Sequence, residues 1–505
     1  MKVVKLYFFL IIVIMGLFMF SCNKPVGKSN KLQIDNTAYY KKKYNLTYVH
    51  YKSPKHSLKL KALDFIIKNL PYQYHYSSST LAKYDSVLLA NQNREEDYLK
   101  NTLDSLTIIY GSNINLVSDD RRITNAYLIN NIDAAFKSWE YKWGGTKLSF
   151  TDFCEYILPY KLENEKPEYW RDILINQFQI DTTSVSLFNA SDSINKKIKP
   201  FTVTMSYDYP IDIGYKLINL LGTGSCASST KLVAYPMRAL GIPVVIDYAF
   251  WGNRSLKHFW NAVIYKNKPY PFDALESKIG FYKIQFTSID KIKRKPPKIY
   301  RKMFSVQQNS LAYQNLTKEV IPNNLTNLRV KDVTAEYIPV SNVSLTYNTS
   351  CKNKFSYLCT FNNHDWIPIW WGKNINDKVE FKNMGRDMVY LPCLLANSTA
   401  TYIGNPFILN VLGETVELKA NLNLTTTIPI NKKYPDDLSN EIEIGDEYEL
   451  LYWQDGWQSL GKQIAAKKTI YFKNAPDNAL FWIRDLTKGK QERIFTYKNN
   501  KVQWW

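Results

Sequence analysis

Residues 221 to 276 read LGTGSCASSTKLVAYPMRALGIPVVIDYAFWGNRSLKHFWNAVIYKNKPYPFDALE, and the rest of the chain is organised around this stretch. Cys226 follows small residues and precedes a helical pattern over 227–240, which Gly241 would cap at its C-terminal end. The unpaired amides and the dipole at a helix N-terminus favour the thiolate, which is the nucleophilic form of cysteine. The stretch therefore predicts an activated thiol at Cys226.

A histidine and an aspartate follow on two strand-like segments. His258 opens an alternating run over 258–265, and a second short run reaches Asp273. If Lys266-Asn267 forms a two-residue turn, Asp273 lies opposite Trp260 and is a diagonal neighbour of His258 on the same face. A turn one residue later would point the carboxylate away. With this turn, the sequence predicts a Cys226-His258-Asp273 triad in which the imidazole accepts the thiol proton and the carboxylate orients the imidazole.

The neighbours of these three residues are candidates for holding a substrate. Gly224, Ser225 and Trp260 are assigned to substrate or oxyanion binding, and the backbone amide of Cys226 is a further oxyanion donor. The small residues before the cysteine would let a substrate carbonyl approach the thiol.

Cysteine usage leaves rival thiols and several pairings open. The six cysteines are Cys22, Cys154, Cys226, Cys351, Cys359 and Cys393. The rival thiol–imidazole pairs are Cys154 with His75 and Cys359 with His364, and neither pair has the glycine approach, the helix start or the downstream carboxylate. One disulfide could form among the three C-terminal cysteines. No metal-type spacing occurs, so we predict neither a metal site nor a cofactor.

The N-terminus carries a targeting pattern. Lys2 and Lys5 precede an apolar run of 15 residues from Leu6 to Phe20, which is short for a membrane span but suits a signal peptide. Ser21 and Cys22 follow directly and resemble the end of a bacterial lipoprotein signal over 1–22, with Cys22 as the lipidated residue. The alternative is an ordinary signal peptide. The pattern predicts a cell-envelope protein, anchored by lipid to the outer membrane and facing the periplasm or the exterior.

The remaining sequence changes character along the chain. Residues 23–55 are polar and weakly patterned, which predicts a tether, whereas 56–204 carry helical periodicities that predict a mainly helical region. From about residue 288, short alternating runs predict strands, for example at 333–338, 355–361 and 387–391.

An internal repeat divides the C-terminal part into two β-sandwich-like modules, 325–420 and 421–505. Seven positions recur at an offset of 91 residues. The pairs are Tyr357/Tyr448, Phe361/Tyr452, Trp366/Trp457, Phe381/Phe472, Lys382/Lys473, Asn383/Asn474 and Tyr390/Phe481. Trp366 and Trp457 have two interpretations, packing in a sandwich core, which is favoured, or stacking on sugar rings.

The order of motifs resembles the transglutaminase-like superfamily. The matching residues are Gly224-Ser-Cys226 at a helix start, Arg238-Ala-Leu-Gly-Ile-Pro243 at the helix exit, His258-Phe-Trp260 on a strand and Asp273 after a hairpin. The resemblance covers about 205–290, and Ala227-Ser-Ser replaces the acidic residue that often follows the cysteine in that family. Together with the lipoprotein signal, the layout resembles secreted proteins of this class in Bacteroides-type bacteria.

The resemblance implies a papain-like or transglutaminase-like core at 205–290 within a multidomain α+β chain. It also implies acyl transfer or hydrolysis on an amide, with a peptide, protein or glycopeptide as substrate. Hydrolysis is favoured over cross-linking because water outcompetes dilute amines. The alternative function is a non-catalytic envelope lipoprotein that binds glycan or protein through its β modules.

The charge balance adds one constraint. With 65 Lys and Arg against 45 Asp and Glu, the 505-residue chain carries a formal charge of +20, which suits acidic surroundings. Because the lysines are spread along the chain and no nucleic-acid module is present, a solvated basic surface is favoured over nucleic-acid binding. The charge cluster at 119–122 likewise predicts a solvated face or a helix cap.

Overall fold

A computed structural model describes the chain over most of its length. The described residues are 37–78, 81–90, 96–110, 114–141, 143, 148–180, 185–198, 201–203, 211–252, 257–281, 295–346, 353–396, 399–434, 440–489 and 492–505. Residues 1–22, which are predicted to be a lipoprotein signal ending at Cys22, and Cys351 lie outside them. The described residues form two compact units. One contains those up to Pro243 with Phe304–Val306, and the other contains Val244–Met303 with Gln307–Trp505.

The first unit is mainly helical, as predicted for 56–204. Its helices are α1 (Thr37–Lys43), α2 (Asn45–His50), α3 (Ser57–Asn69), α4 (Leu81–Ala90), α5 (Glu96–Tyr110), α6 (Asn125–Trp139), α7 (Phe150–Tyr156), α8 (Arg171–Gln177), α9 (Leu187–Lys197), α10 (Tyr215–Leu221) and α11 (Cys226–Ala239). The first unit also contains two short strand pairs. Strand β1 (Tyr74–Ser77) is antiparallel to β2 (Asn115–Ser118), and β3 (Thr202–Val203) is parallel to β4 (Thr223–Gly224).

The tether predicted for 23–55 is wrong for its second half. Helices α1 and α2 occupy that part, and Tyr40, Tyr44, Thr47 and Tyr51 are buried. The spacing of these four residues is four, three and four, which places them on one side of a helical chain. The Tyr44 hydroxyl donates to the Ile123 carbonyl over 3.4 Å. The polar Lys-rich composition concealed an aromatic stripe that packs into the helical core.

The second unit begins with an antiparallel sheet in the order β7-β6-β5-β8-β9. Its strands are β5 (Val244–Phe250), β6 (Lys257–Tyr265), β7 (Lys268–Phe272), β8 (Tyr300–Lys302) and β9 (Val330–Asp332). Two short helices, α12 (Leu311–Gln314) and α13 (Thr334–Tyr337), belong to the same unit. Helix α13 occupies the position of the strand predicted at 333–338, so that prediction is wrong. The division between the units falls at Pro243, inside the single core predicted for 205–290.

The C-terminal part of the second unit is built from β-strands. They are β10 (Val340–Thr346), β11 (Phe355–Asn362), β12 (Asp365–Ile375), β13 (Lys378–Gly385), β14 (Met388–Ala396), β15 (Thr399–Tyr402), β16 (Phe407–Leu409), β17 (Thr415–Glu417), β18 (Asn421–Ile430), β19 (Glu447–Trp453), β20 (Trp457–Ile464), β21 (Ile470–Asp477), β22 (Leu480–Asp485), β23 (Ile494–Lys498) and β24 (Lys501–Trp504). The chain is therefore multidomain, with a helical part and a β-rich C-terminal part.

The internal repeat recurs in these strands. Strand β11 pairs with β12 and β14, and β19 pairs with β20 and β22 in the same way. Asn383 and Asn474, at equivalent positions, have φ of 54° and 58°, and Asp387 and Asn478 have 61° and 53°. Left-handed backbone at matched positions is uncommon for non-glycine residues, so the repeat extends to local conformation.

Candidate functional site

Cys226 is the first residue of α11, and glycines shape the chain that enters this helix. Gly222 ends α10 in the left-handed conformation with φ of 65°, and its carbonyl accepts from the Thr202 amide over 2.9 Å. Gly224 approaches the first turn of α11 so closely that a Cβ there would lie 2.8 Å from Ser228 Cβ. The small residues before the cysteine are therefore needed for the turn into the helix. Ser225 and Cys226 are half-buried.

The Cys226 helix is fixed by buried polar contacts. Lys231 Nζ lies 3.1 Å from Glu163 Oε2 and 3.4 Å from Asp212 Oδ1. One turn later the Tyr235 hydroxyl donates to Glu165 Oε1 over 2.6 Å, and burial raises the pKa of Tyr235 well above its usual value. Buried polar groups with satisfied partners specify one arrangement, so the position of α11 within its unit is well determined.

The C-terminal end of α11 has the predicted glycine cap. Gly241 has φ of 72°, its amide donates to the Arg238 carbonyl, and the Ile242 amide donates to the Met237 carbonyl over 2.9 Å. This is the Schellman pattern. The buried Arg171 guanidinium also reaches the Arg238 carbonyl at 3.5 Å, which places a cation at the negative end of the helix. The helix continues through Pro236 to Ala239.

The hairpin that carries the histidine has the predicted turn and register. Lys266 and Asn267 have φ of 50° and 61°, as in a type I′ turn. Strands β6 and β7 pair from Tyr265 with Lys268 to Asn261 with Phe272. Strand β7 ends at Phe272, and Asp273 is the next residue. Continued by one residue, the same register places Asp273 opposite Trp260. The two-residue turn predicted from the sequence is confirmed.

This register brings His258 and Asp273 into contact. His258 Nε2 lies 2.9 Å from Asp273 Oδ1, and the two side chains are 27% and 16% exposed. The Asp273 amide donates to the Ser277 hydroxyl over 2.8 Å, and the Asp273 carbonyl accepts from the amides of Glu276 and Ser277. The turn after β7 therefore holds the carboxylate in place. Because Nε2 faces Asp273, Nδ1 is the ring nitrogen on the other side of the imidazole.

Two tryptophans support the imidazole. The rings of Trp251 and Trp260 lie 6.2 and 6.3 Å from that of His258, with interplanar angles of 24° and 22°. Trp260 is fully buried. Sequence reasoning assigned Trp260 to substrate or oxyanion binding, but its burial places it as a support for the imidazole. The structure brings His258 and Asp273 together in the second unit, whereas Cys226 belongs to the first unit.

The first rival pair is excluded by burial and by competing contacts. Cys154 is 5% exposed, and burial raises the pKa of its thiol to about 12. His75 Nδ1 lies 2.8 Å from Asp119 Oδ1 instead, and both residues are buried. A thiol that stays protonated is a poor nucleophile.

The second rival pair fails for similar reasons. Cys359 is fully buried, and burial together with a hydrogen bond to Cys393 raises the pKa of its thiol. His364 Nε2 lies 2.7 Å from Glu492 Oε2. Each imidazole of the rival pairs thus has a carboxylate partner, and each thiol is buried.

Sequence reasoning missed the role of Asp119. It predicted a solvated face or a helix cap at 119–122, but Asp119 is completely buried between His75, Lys161 and Tyr160. Burial alone would raise the pKa of Asp119, but the hydrogen bond from His75 and the charge of Lys161 lower it. The partners lie 44 and 42 residues away in sequence, so no local pattern could have identified this cluster.

Comparisons with known proteins add no relative. No protein-family model matches the chain, and no curated protein matches it.

Over the ranges that the structure describes, no group of three His, Cys, Asp or Glu side chains is placed to hold a metal ion. Within the same ranges, no helix has both the length and the apolar character needed to cross a membrane.

Proposed function

We propose that this protein is a transglutaminase-like cysteine enzyme of the bacterial cell envelope, which transfers or hydrolyses acyl groups of amide substrates through Cys226, His258 and Asp273. The observation that carries the proposal is the 2.9 Å contact between His258 and Asp273, because it supplies the oriented imidazole that a thiol nucleophile requires. The position of Cys226 at the start of a 14-residue helix supports it.

The proposed reaction begins with proton transfer from the Cys226 thiol to His258 Nδ1, since Nε2 faces the carboxylate. The thiolate then attacks the amide carbonyl carbon, and the carbonyl oxygen becomes an oxyanion. The Cys226 amide is the oxyanion donor we favour, because orphan amides at a helix N-terminus stabilise negative charge. When the intermediate collapses, the C–N bond breaks, the imidazolium protonates the leaving amine, and a thioester remains on Cys226.

The second half of the reaction transfers the acyl group to an acceptor. His258 removes a proton from water or from an amine, which attacks the thioester and releases the thiol. We favour water, because it is far more abundant than free amines outside the cell. Asp273 stabilises the imidazolium in both halves of the reaction. The substrate class is a peptide, protein or glycopeptide.

The proposal includes a fold and a location. The helix of Cys226 and the sheet of His258 would form the papain-like or transglutaminase-like core, followed by two β-sandwich-like modules. Lipidation at Cys22 would anchor the protein to the outer membrane. The second candidate function, a non-catalytic envelope protein that binds through its β modules, is favoured by the repeated strand pattern of the C-terminal part.

Thiol labelling tests the enzyme proposal with internal controls. Purified protein is treated with iodoacetamide at a series of pH values from roughly 5 to 9, a range that spans the ordinary thiol pKa of about 8.5. The modified cysteines are then mapped by mass spectrometry. We expect rapid labelling of Cys226 below that pKa, and no labelling of the buried Cys154, Cys359 and Cys393 until the protein is unfolded. Slow reaction of Cys226, at the rate of an unfolded peptide thiol, would refute the proposal.

A histidine variant makes the same experiment specific. The His258→Gln variant should lose the rapid labelling of Cys226 below the ordinary thiol pKa, because Gln cannot accept the proton. His50→Gln is the control, since His50 is half-exposed and lies in the first unit on α2. Equal labelling rates in both variants and in the parent protein would show that His258 does not activate the Cys226 thiol.

A further inference from the structure

A groove in the second unit is large enough for an extended ligand. It has a volume of about 1210 Å³ and lies among β10, β12, β13 and the segments around 307–314 and 324–332. Pockets for drug-sized molecules occupy roughly 300–1,000 Å³, so this groove suits a chain of several rings rather than one small molecule. Neither Cys226 nor His258 lines it, so it does not belong to the proposed catalytic residues.

Two consecutive tryptophans on β12, Trp370 and Trp371, line the groove. Side chains of neighbouring residues on a strand point to opposite faces. The pairing of β11 with β12 shifts at this point, because Leu358 pairs with Trp370 while Cys359 pairs with Pro368. Ile369 is the extra residue of this β-bulge, and Trp370 and Trp371 follow it on regularly paired strand, opposite Leu358 and Tyr357. Both tryptophan rings line the groove, with their centroids 6.3 Å apart.

The Trp370 ring is held from within the protein. The ammonium group of Lys298, which is fully buried, lies 3.9 Å from the centroid of this ring. Lys298 Nζ also lies 2.5 Å from Asp332 Oδ2 and donates to the carbonyls of Lys382 and Asn383 over 2.8 and 2.9 Å. A cation fixed by three other contacts orients the ring before any ligand arrives, which reduces the entropy lost on binding.

The rest of the lining is rich in neutral amides. They include Gln307, Asn309, Gln314, Asn327 and Asn376. A side-chain amide offers a donor and an acceptor close together, and a hydroxyl group is likewise both donor and acceptor. Amides therefore match the paired hydroxyls of a sugar ring, while the tryptophan faces match its C–H surface.

The charged residues of the groove add a preference. Four lysines, Lys331, Lys373, Lys378 and Lys382, line it against two carboxylates, Asp332 and Glu380. The Asp332 charge is already matched by the buried Lys298. Lys331 lies 3.2 Å from Glu336 and Lys382 lies 3.9 Å from Glu380, so the excess positive charge belongs to Lys373 and Lys378. The surplus is positive, so the groove favours a ligand that carries carboxylates.

We propose that this groove binds an oligosaccharide chain, with Trp370 and Trp371 as the stacking surface, the amides as partners of the sugar hydroxyls and the lysines as contacts for acidic sugar units. The proposal does not depend on the reaction proposed for Cys226. The proposed stacking residues differ from Trp366 and Trp457, for which the sequence favoured core packing over stacking on sugar rings. Trp366 is buried, and the Trp457 ring packs 5.2 and 5.4 Å from those of Trp453 and Trp482.

Gel electrophoresis through immobilised polysaccharide tests the proposal on the full purified chain. The two polysaccharides in the gel are polygalacturonate, which carries carboxylates, and xylan, which is mostly neutral. Binding of peptides is measured separately by calorimetry, with a tryptic digest of casein. We expect polygalacturonate to retard the protein, and added salt to weaken the interaction because exposed charges are screened. Retardation by xylan alone would support polysaccharide binding and would overturn the proposed preference for acidic sugar units.

Substitutions of residues that line the groove test whether the polysaccharide binds there. Trp371→Ala should weaken polysaccharide binding about tenfold, because buried aromatic anchors dominate binding energy. The exposed Asn376 and Lys378 provide the double variant N376G/K378A, which should also weaken binding. It should fold even if Trp371→Ala does not, because glycine adopts the φ of 50° at position 376 without strain. Lys462→Ala, at an exposed position on β20, is the matched control and should bind as the parent does.

Several results would overturn the proposal. One is the absence of retardation by either polysaccharide. Another is binding that N376G/K378A and a folded Trp371→Ala leave unchanged, since the polysaccharide would then occupy a different surface. Binding of casein peptides that Trp371→Ala abolishes, with no polysaccharide binding, would identify the groove as a peptide site instead. Inactivation of Cys226 by iodoacetamide should leave polysaccharide binding unchanged, which separates this result from the enzyme proposal.

Discussion

His258 Nε2 lies 2.9 Å from Asp273 Oδ1, and the contact exists because a two-residue turn sets the register of the hairpin between them. If His258 is the base for Cys226, Asp273→Asn should lower the rate of any amide hydrolysis by about 10²–10⁴-fold, because the imidazolium loses its anionic partner. The same variant should slow Cys226 alkylation below the ordinary thiol pKa to the rate of an unactivated thiol. Glu276→Gln removes a nearby exposed carboxylate and should leave both rates unchanged. Similar rates in Asp273→Asn and the parent would remove Asp273 from the mechanism.

The turn itself can be tested by stability. Asn267 has φ of 61°, a conformation that β-branched residues avoid. Asn267→Val should lower the free energy of unfolding by about 1–2 kcal/mol, measured by urea denaturation. Lys268→Val changes the next residue, which begins strand β7, and should be neutral or slightly stabilising. Equal stability of the two variants would contradict the type I′ assignment.

The hairpin shows what the sequence could predict. The alternation over 258–265 and the Lys266-Asn267 turn are local signals, and together they predicted the pairing that the structure has. The glycine cap at Gly241 is likewise local, since a helix C-terminus needs a left-handed residue within one turn. The offset repeat required only self-comparison of the chain.

Other features depend on contacts that no local pattern contains. The buried state of Asp119 follows from Lys161, which is 42 residues away, and a charge cluster in sequence is normally solvated. Tyr40 and Tyr44 lie on either side of three consecutive lysines, and this polar composition is typical of a solvated segment. The β-bulge at Ile369 is likewise visible only in the pairing of two strands.

Gly241 offers a test of the Cys226 helix. Its φ is 72°, and an added Cβ would collide with the Ser138 carbonyl oxygen on α6. Gly241→Ala should destabilise the first unit by more than the roughly 1–2 kcal/mol that left-handed backbone alone costs a non-glycine residue. Gly489→Ala is the matched control, because Gly489 has φ of 58° but an added Cβ there meets no atom within 4 Å. Equal destabilisation by urea denaturation would show that the close approach to Ser138 contributes nothing.

The sulfur atoms of Cys359 and Cys393 lie 3.0 Å apart on adjacent strands, which selects one pairing among those left open by the sequence. Cys359 pairs with Leu391, and Tyr357 pairs with Cys393, so the two cysteines are diagonal neighbours on one face. Refolding in glutathione disulfide should therefore link them. The two thiols lose two protons and two electrons, and glutathione disulfide is reduced to two glutathione thiols.

Peptide mapping without reductant checks this prediction. Because both thiols are buried, oxidation should be slow in the folded protein and should occur during refolding. A bridge across two paired strands closes a loop that contains 33 residues between the cysteines, so the oxidised protein should be more stable to urea, by about 2–4 kcal/mol. Cys393→Ser should lose this gain, whereas Cys154→Ser should keep it. A bridge that includes Cys154 or Cys226 in place of either residue would contradict the strand pairing of β11 with β14.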